Sequence, residues 1–255
     1  MEFFFREYGS GRPLIILHGY LGLSDYWINV AKYFSTQNYN VIVPDIPLFG
    51  RSFHLEEFSY EEIANILIFL CKEKKLKNPI LMGHSMGGKI AMTMQRISPS
   101  YFKALIVVDI HFKKYPLTKE NKILCKELLN LNFSSFNRMS DISNYLLSKG
   151  IDRDMCFLIL KNIKTIKGKF SWRAAIPILA RDFPKVLSNI DVKQTSIPTL
   201  LLKGENSNYI NNEDEKKFNK IYINSSIINV PNSGHWIQRD NPAFLINEVI
   251  KFLSI

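Results

Sequence analysis

A short apolar strand that runs into Gly-x-Ser-x-Gly and on into an amphipathic helix leaves a chain few ways to fold. Asn78 to Gly88 read Asn-Pro-Ile-Leu-Met-Gly-His-Ser-Met-Gly-Gly. A sharp strand-to-helix turn holds its central serine in an unfavourable backbone conformation, clear of the sheet and within reach of a base. Other backbone passes so close that only very small residues fit two places before and two places after the serine, and Gly83 and Gly87 stand there. A serine hydroxyl is a weak nucleophile at neutral pH until a base takes its proton. Ser85 is therefore the candidate nucleophile. The competing reading is a glycine-rich helix start with a serine N-cap, and the strand in front and the helix behind both argue against it.

Around this turn, apolar runs alternate with amphipathic stretches, the pattern of strand-helix-strand units in an α/β fold whose mostly parallel sheet is covered by helices on both faces. Strands are predicted at Phe3 to Tyr8, Leu14 to Leu17, Val41 to Val43, Ile80 to Met82, Ala104 to Val108, Thr199 to Leu202 and Ile227 to Val230. Ser59-Tyr60-Glu61-Glu62 has the form of a capping box, with Ile63, Ile66, Leu67 and Leu70 following on one helical face. Asn241-Pro242 opens a last helix in which Leu245, Val249 and Phe252 are spaced to pack inward. The alternation fails from 111 to 190, where helical patterns follow one another and no convincing strand is found. A helical cap inserted at 111–190 into a core formed by 1–110 and 191–255 explains this better than a loop of that length.

At 255 residues and 46% hydrophobic, the chain is long enough for one large core. Cys71, Cys125 and Cys156 are far apart and odd in number, which suggests neither a disulfide framework nor a zinc site and fits reduced thiols in the cytoplasm. The start of the chain, from Met1 to Glu7, reads as an edge strand rather than a leader. No run approaches the ~18 apolar residues of a membrane span, so a soluble protein is expected. The formal charge is +10, and most of it is concentrated: from His111 to Arg173 there are thirteen Lys and Arg against five Asp and Glu, a net +8. Such a cluster can draw phosphates or acidic partners, or it can simply be a solvated helical surface.

A serine nucleophile needs a base, an acid that orients the base, and donors for an oxyanion. Of the five histidines, His84 adjoins Ser85 on the turn and should point elsewhere, while His18, His54 and His111 come too early in the chain. His235 follows the last predicted strand in Pro231-Asn232-Ser233-Gly234-His235-Trp236, in the order serine, acid, histidine. The acid is less obvious. The loop after Leu202 reads Lys203-Gly204-Glu205-Asn206-Ser207-Asn208-Tyr209, with Ser207 where an aspartate is usual. Asp109, ending the strand that follows the nucleophile's strand and helix, is favoured because strands adjacent in sequence are often neighbours in space; Glu205 is the alternative. Oxyanion donors are expected from the backbone N–H groups of Met86 and of Tyr20, in the turn His18-Gly19-Tyr20, which His18 should buttress. Tyr20, Trp172, Tyr209 and Trp236 are candidates to line a substrate pocket. Neither an HExxH sequence nor a dinucleotide fingerprint occurs, so no metal and no organic cofactor are expected.

Taken together, Leu17-His18-Gly19-Tyr20-Leu21-Gly22, Pro44-Asp45, Gly83-His84-Ser85-Met86-Gly87-Gly88-Lys89, Val108-Asp109-Ile110, Gly204-Glu205-Asn206-Ser207-Asn208-Tyr209 and Gly234-His235-Trp236 resemble the alpha/beta-hydrolase superfamily, and within it the YbfF-type esterases. The resemblance spans nearly the whole chain, except that the basic cap departs from it. It implies a triad of Ser85, Asp109 and His235 and the hydrolysis of short-acyl esters or thioesters through an acyl-serine. The charge of the cap adds an expectation of an anionic carrier, coenzyme A or an acidic acyl carrier protein, and none of nucleic acid. A methyl-ester hydrolase acting on a carrier-bound acyl chain, as in biotin synthesis, a lyase using the same three residues, and a non-catalytic ligand-binding protein are the alternatives.

Overall fold

The computed structural model describes residues 3–254. Among them, seven strands form one sheet in the order β1 (Phe5–Tyr8), β3 (Tyr39–Pro44), β2 (Arg12–Leu17), β4 (Ile80–His84), β5 (Ala104–Val108), β8 (Thr199–Gly204), β9 (Ser225–Val230). Only β1 is antiparallel, at one edge; the other neighbours are parallel. All seven predicted strands are present. Met1 and Glu2, part of the expected edge strand, lie outside the described residues.

The central strands β4 and β5 are buried at every position, as a parallel sheet covered on both faces requires. One face packs against α2 (Tyr60–Glu73) and α3 (Met86–Ile97), the other against α1 (Ile28–Ser35) and α11 (Pro242–Leu253). Ser59 caps α2, its hydroxyl accepting the Glu62 N–H. The buried stripe of α2 is Ile63, Ala64, Leu67, Ile68 and Cys71. Ile66 and Leu70 are only half-buried, so the face is rotated toward Ala64 and Ile68 from the one expected. In α11, Leu245 and Val249 are buried as spaced, and Phe252 is half-buried.

Between β5 and β8 come the helices α4 (Lys119–Asn130), α5 (Met139–Ser148), α6 (Arg153–Lys161), α7 (Ile176–Arg181) and α8 (Phe183–Leu187). They are not the whole of this segment. A hairpin of β6 (Ile163–Ile166) and β7 (Lys169–Trp172) interrupts them, against the expectation of no strand here. Lys167 and Gly168 make its two-residue turn with φ of 49° and 76°, the paired positive φ of a tight hairpin turn. After β8, α9 (Asn212–Ile221) leads to β9, and the short α10 (Ile237–Asp240) precedes α11. No helix among the described residues is long and apolar enough to cross a membrane.

Parallel order decides where chemistry can gather. The carboxyl ends of β4, β5, β8 and β9 lie side by side, and ligands of open α/β sheets bind beyond such ends. Ser85 and Asp109 are the first residues after β4 and β5, and Ser207 and His235 lie in the loops that follow β8 and β9.

Candidate active site

Ser85 stands at the amino end of α3 with φ 53° and ψ −124°, a conformation that costs a non-glycine residue about 1–3 kcal/mol. Its N–H donates to the carbonyl of Val108 at 3.0 Å, and Gly88 and Lys89 N–H groups donate to its own carbonyl, so the strained turn is anchored on both sides. The glycines are sterically obligatory. A Cβ on Gly83 would collide with the carbonyl of Gly87, and one on Gly87 with the carbonyls of Leu17 and His18.

His235 Nε2 lies 2.9 Å from Ser85 Oγ, and its Nδ1 lies 2.7 Å from Asp109 Oδ2. Asp109 is completely buried. Its Oδ1 accepts the Gly204 N–H at 3.0 Å, and its Oδ2 also accepts the hydroxyl of Ser207. Three donors thus converge on the carboxylate, which satisfies a buried charge that would otherwise be costly. Glu205 is exposed and accepts the Asn232 N–H at 2.8 Å; it steadies the loop that carries His235 and makes no hydrogen bond to its imidazole.

Other side chains fix the imidazole from outside. Tyr209 stacks on it face to face, ring centroids 3.7 Å apart and planes 10° from parallel. His84 points away from the serine, as expected, and its Nε2–H donates to the His235 carbonyl at 2.7 Å. Burial first, and the neighbouring His235 second, push the pKa of His84 well below the usual histidine value, so it serves as a neutral donor. His18 buttresses its turn: Nδ1 bonds the Gly19 carbonyl at 2.8 Å, and Nε2 accepts the Ile46 N–H at 3.0 Å. The backbone N–H groups of Tyr20 and Met86 donate to no acceptor among the described residues.

Ser85 and His235 open on a cavity of about 240 Å³. Tyr20, Met86, Tyr209 and Trp236 line it, and Leu124, Met155 and Phe183 from α4, α6 and α8 roof it. The Tyr20 hydroxyl donates to the carbonyl of Leu179 in α7, tying the turn at Gly19 to that roof. Trp172 is a correction to the sequence reading. It lies on β7 with its ring edge-on to Phe133 at 4.9 Å, outside the cavity, because the hairpin that carries it turns back among the other residues of 111–190.

Lys89 was legible only as part of a motif. Its side chain is 1% exposed and reaches two carbonyls, those of Lys113 at 2.8 Å and Ser188, one at each end of the segment between β5 and β8. Tyr115 and Tyr60 present their rings to the ammonium at 5.0 and 5.8 Å. Lys113, the nearest cation, is paired with Asp214, and no carboxylate pairs with Lys89 among the described residues. Burial, followed by the Lys113 charge, lowers the Lys89 pKa to about 7. A neutral amine still has two N–H groups for the two carbonyls. Between pH 7 and about 10.5 the unfolded chain holds a proton that the folded one has released, so this group adds stability as pH rises, by up to about 1.4 kcal/mol per unit. Urea unfolding at pH 7, 8 and 9 is expected to show wild type gaining on Lys89→Met over this range; a constant difference would place the folded pKa near that of an ordinary lysine.

The family model of the alpha/beta hydrolase fold matches residues 12–136. A solved marine microorganism esterase superposes with a TM-score of 0.93 at 32% identity, covering 98% of this chain and 99% of that one. The sn-1-specific diacylglycerol lipase ABHD11 of Danio rerio is 28% identical over 96% of this chain and 80% of its own length. Esterase YbfF of Escherichia coli is 20% identical, covering 96% of this chain and 94% of its own. With that likeness extending from the first strand through the loop that carries His235, the chain belongs to the alpha/beta hydrolase superfamily.

Proposed function

We propose that this protein is a serine hydrolase that cleaves short-acyl carboxylic esters or thioesters, with Ser85 as nucleophile, His235 as general base and acid, and Asp109 as the orienting carboxylate. The observation that carries this reading is the continuous relay from Ser85 Oγ through both imidazole nitrogens to Asp109, at 2.9 and 2.7 Å. His235 Nε2 takes the serine proton as Oγ attacks the acyl carbon, and passes it to the leaving alcohol or thiol. The same nitrogen then activates water to release the acid from the acyl-serine. Asp109 stays ionised and holds the proton on Nδ1, leaving Nε2 free to accept. The unpartnered N–H groups of Met86 and Tyr20 stabilise the oxyanion, each worth about 3–4 kcal/mol in such a site.

Esterase and lipase names among the relatives agree with this chemistry. The small cavity favours short acyl groups, since pockets for larger ligands begin at about 300 Å³. A fluorophosphonate probe is expected to label wild type on Ser85 and to leave Ser85→Ala unlabelled. Unlabelled wild type would favour the alternative, a ligand-binding protein on the same fold.

The finer assignment of an anionic carrier rests on charge. Lys119, Lys122, Lys126, Lys149, Lys161 and Lys167 are all exposed, so the excess faces solvent rather than internal partners. Hydrolysis of an acyl-coenzyme A or acyl carrier protein substrate is then expected to fall steeply as salt approaches physiological strength, while hydrolysis of a neutral p-nitrophenyl ester barely changes. Equal salt responses would remove the carrier and leave the esterase.

A further inference from the structure

Three aromatic rings flank the imidazole of His235, and they meet it at different angles. Trp236 crosses it at 69° with centroids 5.6 Å apart, and His84 at 44° and 4.8 Å. Of the three, only Tyr209 lies parallel, 10° off and 3.7 Å away. Two neutral rings avoid such a sandwich, because both faces carry negative charge density; they prefer offset or edge-on pairs with centroids about 4.5–7 Å apart. The geometry suits a ring that becomes positive. A cation over the face of a phenol is attracted by the ring quadrupole, and more strongly where water is excluded.

Water is mostly excluded here. The His235 side chain is 16% exposed, and Leu124, Met155 and Phe183 roof the cavity on which both rings open. The stack is also imposed from outside. The Tyr209 N–H donates to Ser207 Oγ at 3.3 Å, its carbonyl accepts the Tyr115 hydroxyl at 3.0 Å, and the next residue, Ile210, is buried. The Tyr115 hydroxyl is itself fixed by the His111 N–H at 2.9 Å. The backbone on both sides of Tyr209 is thus pinned, and it holds the phenol where two neutral rings would not settle. These bonds belong to the backbone of Tyr209 and survive replacement of its ring.

We infer that Tyr209 is a positioning residue that acts through His235, its π-face stabilising the imidazolium that forms while the proton of the serine or of the attacking water is held on Nε2. This rests on the serine hydrolase reading above. The neutral imidazole of the resting enzyme gains little from the stack, so the attraction grows toward each transition state and raises kcat rather than affinity. Acylation and deacylation both pass through the imidazolium. Slowing the two alike leaves KM nearly unchanged.

Ring-fluorinated phenylalanines at position 209, incorporated by amber suppression, test the charge effect at nearly constant shape, because fluorine draws electron density from the ring face. From Tyr209→Phe through mono-, di- and trifluorophenylalanine to pentafluorophenylalanine, kcat on p-nitrophenyl acetate is expected to fall stepwise, by about tenfold or more in total. KM should stay within about twofold. Tyr209→Leu, which fills space without a π-face, should lose a comparable amount of kcat, and Tyr209→Phe should recover most of it.

A kcat that stays level across the fluorinated series overturns the inference, even with a slow Tyr209→Leu, because shape alone then explains that loss. A loss carried by KM overturns it too, by making Tyr209 a wall of the substrate cavity and nothing more. Failure of the serine hydrolase reading looks different: wild type then hydrolyses no ester and takes no fluorophosphonate.

Discussion

Ser85→Ala is expected to lower kcat on a short p-nitrophenyl ester by about 10⁴-fold or more. The variant keeps the imidazole, its carboxylate and both unpartnered N–H groups, so some hydrolysis by water activated at His235 survives. What disappears is the acyl-serine route. Folding should be unaffected, because the Ser85 side chain bonds only to His235 Nε2 and alanine must adopt the same strained φ of 53°. Ser85→Gly separates strain from chemistry. It should be as inactive as alanine yet more stable, because glycine accepts positive φ without the penalty of about 1–3 kcal/mol carried by other residues. Steady-state kinetics with thermal melts on the two variants would check both halves. A wild-type rate in either would remove Ser85 from the chemistry.

The order of elements was legible because buried parallel strands are apolar throughout, and β2, β4, β5 and β8 stand out as such runs between amphipathic stretches. The hairpin was not. Ile163 to Trp172 read Ile-Lys-Thr-Ile-Lys-Gly-Lys-Phe-Ser-Trp, with lysines spread as on a solvated helix and Lys-Gly in place of the stronger Asn-Gly turn signal. Trp172 sits away from the cavity for the same reason, since a ring's environment follows from the element that carries it. Asp109 was accessible through topology: β4 pairs with β5, and β5 with β8, so the carboxylate at the end of the middle strand reaches the loop after either neighbour. The sequence marks Ser207 only as the place where an aspartate is usual. That its hydroxyl donates to Asp109 depends on loop geometry after β8, for which a sequence carries no periodic signal.

Asp109→Asn is expected to lower kcat by about 10⁴-fold, almost as much as removing the nucleophile, while changing the shape of the site very little. Three donors meet the native carboxylate: the Gly204 N–H at Oδ1, and the Ser207 hydroxyl and His235 Nδ1–H at Oδ2. An asparagine has only one acceptor oxygen. If that oxygen keeps the fixed backbone N–H of Gly204, its amino group faces Ser207, whose hydroxyl can turn to accept, and His235 Nδ1, which must then give up its proton. The proton moves to Nε2 and points at Ser85 Oγ, so the imidazole can no longer take the serine proton. Turning the amide over would set its amino group against the Gly204 N–H, two donors in a fully buried place, which costs about 1–3 kcal/mol. The wrong tautomer therefore wins. Ser207→Ala removes one donor and leaves the carboxylate, so its loss should be far smaller than that of Asp109→Asn. Glu205→Gln should keep a near-native rate, because Glu205 is exposed and bonded to the Asn232 N–H. Comparing kcat for the three variants on one ester locates the acid: a large loss at Glu205 with a small one at Asp109 would move the carboxylate of the relay from the end of β5 to the loop after β8.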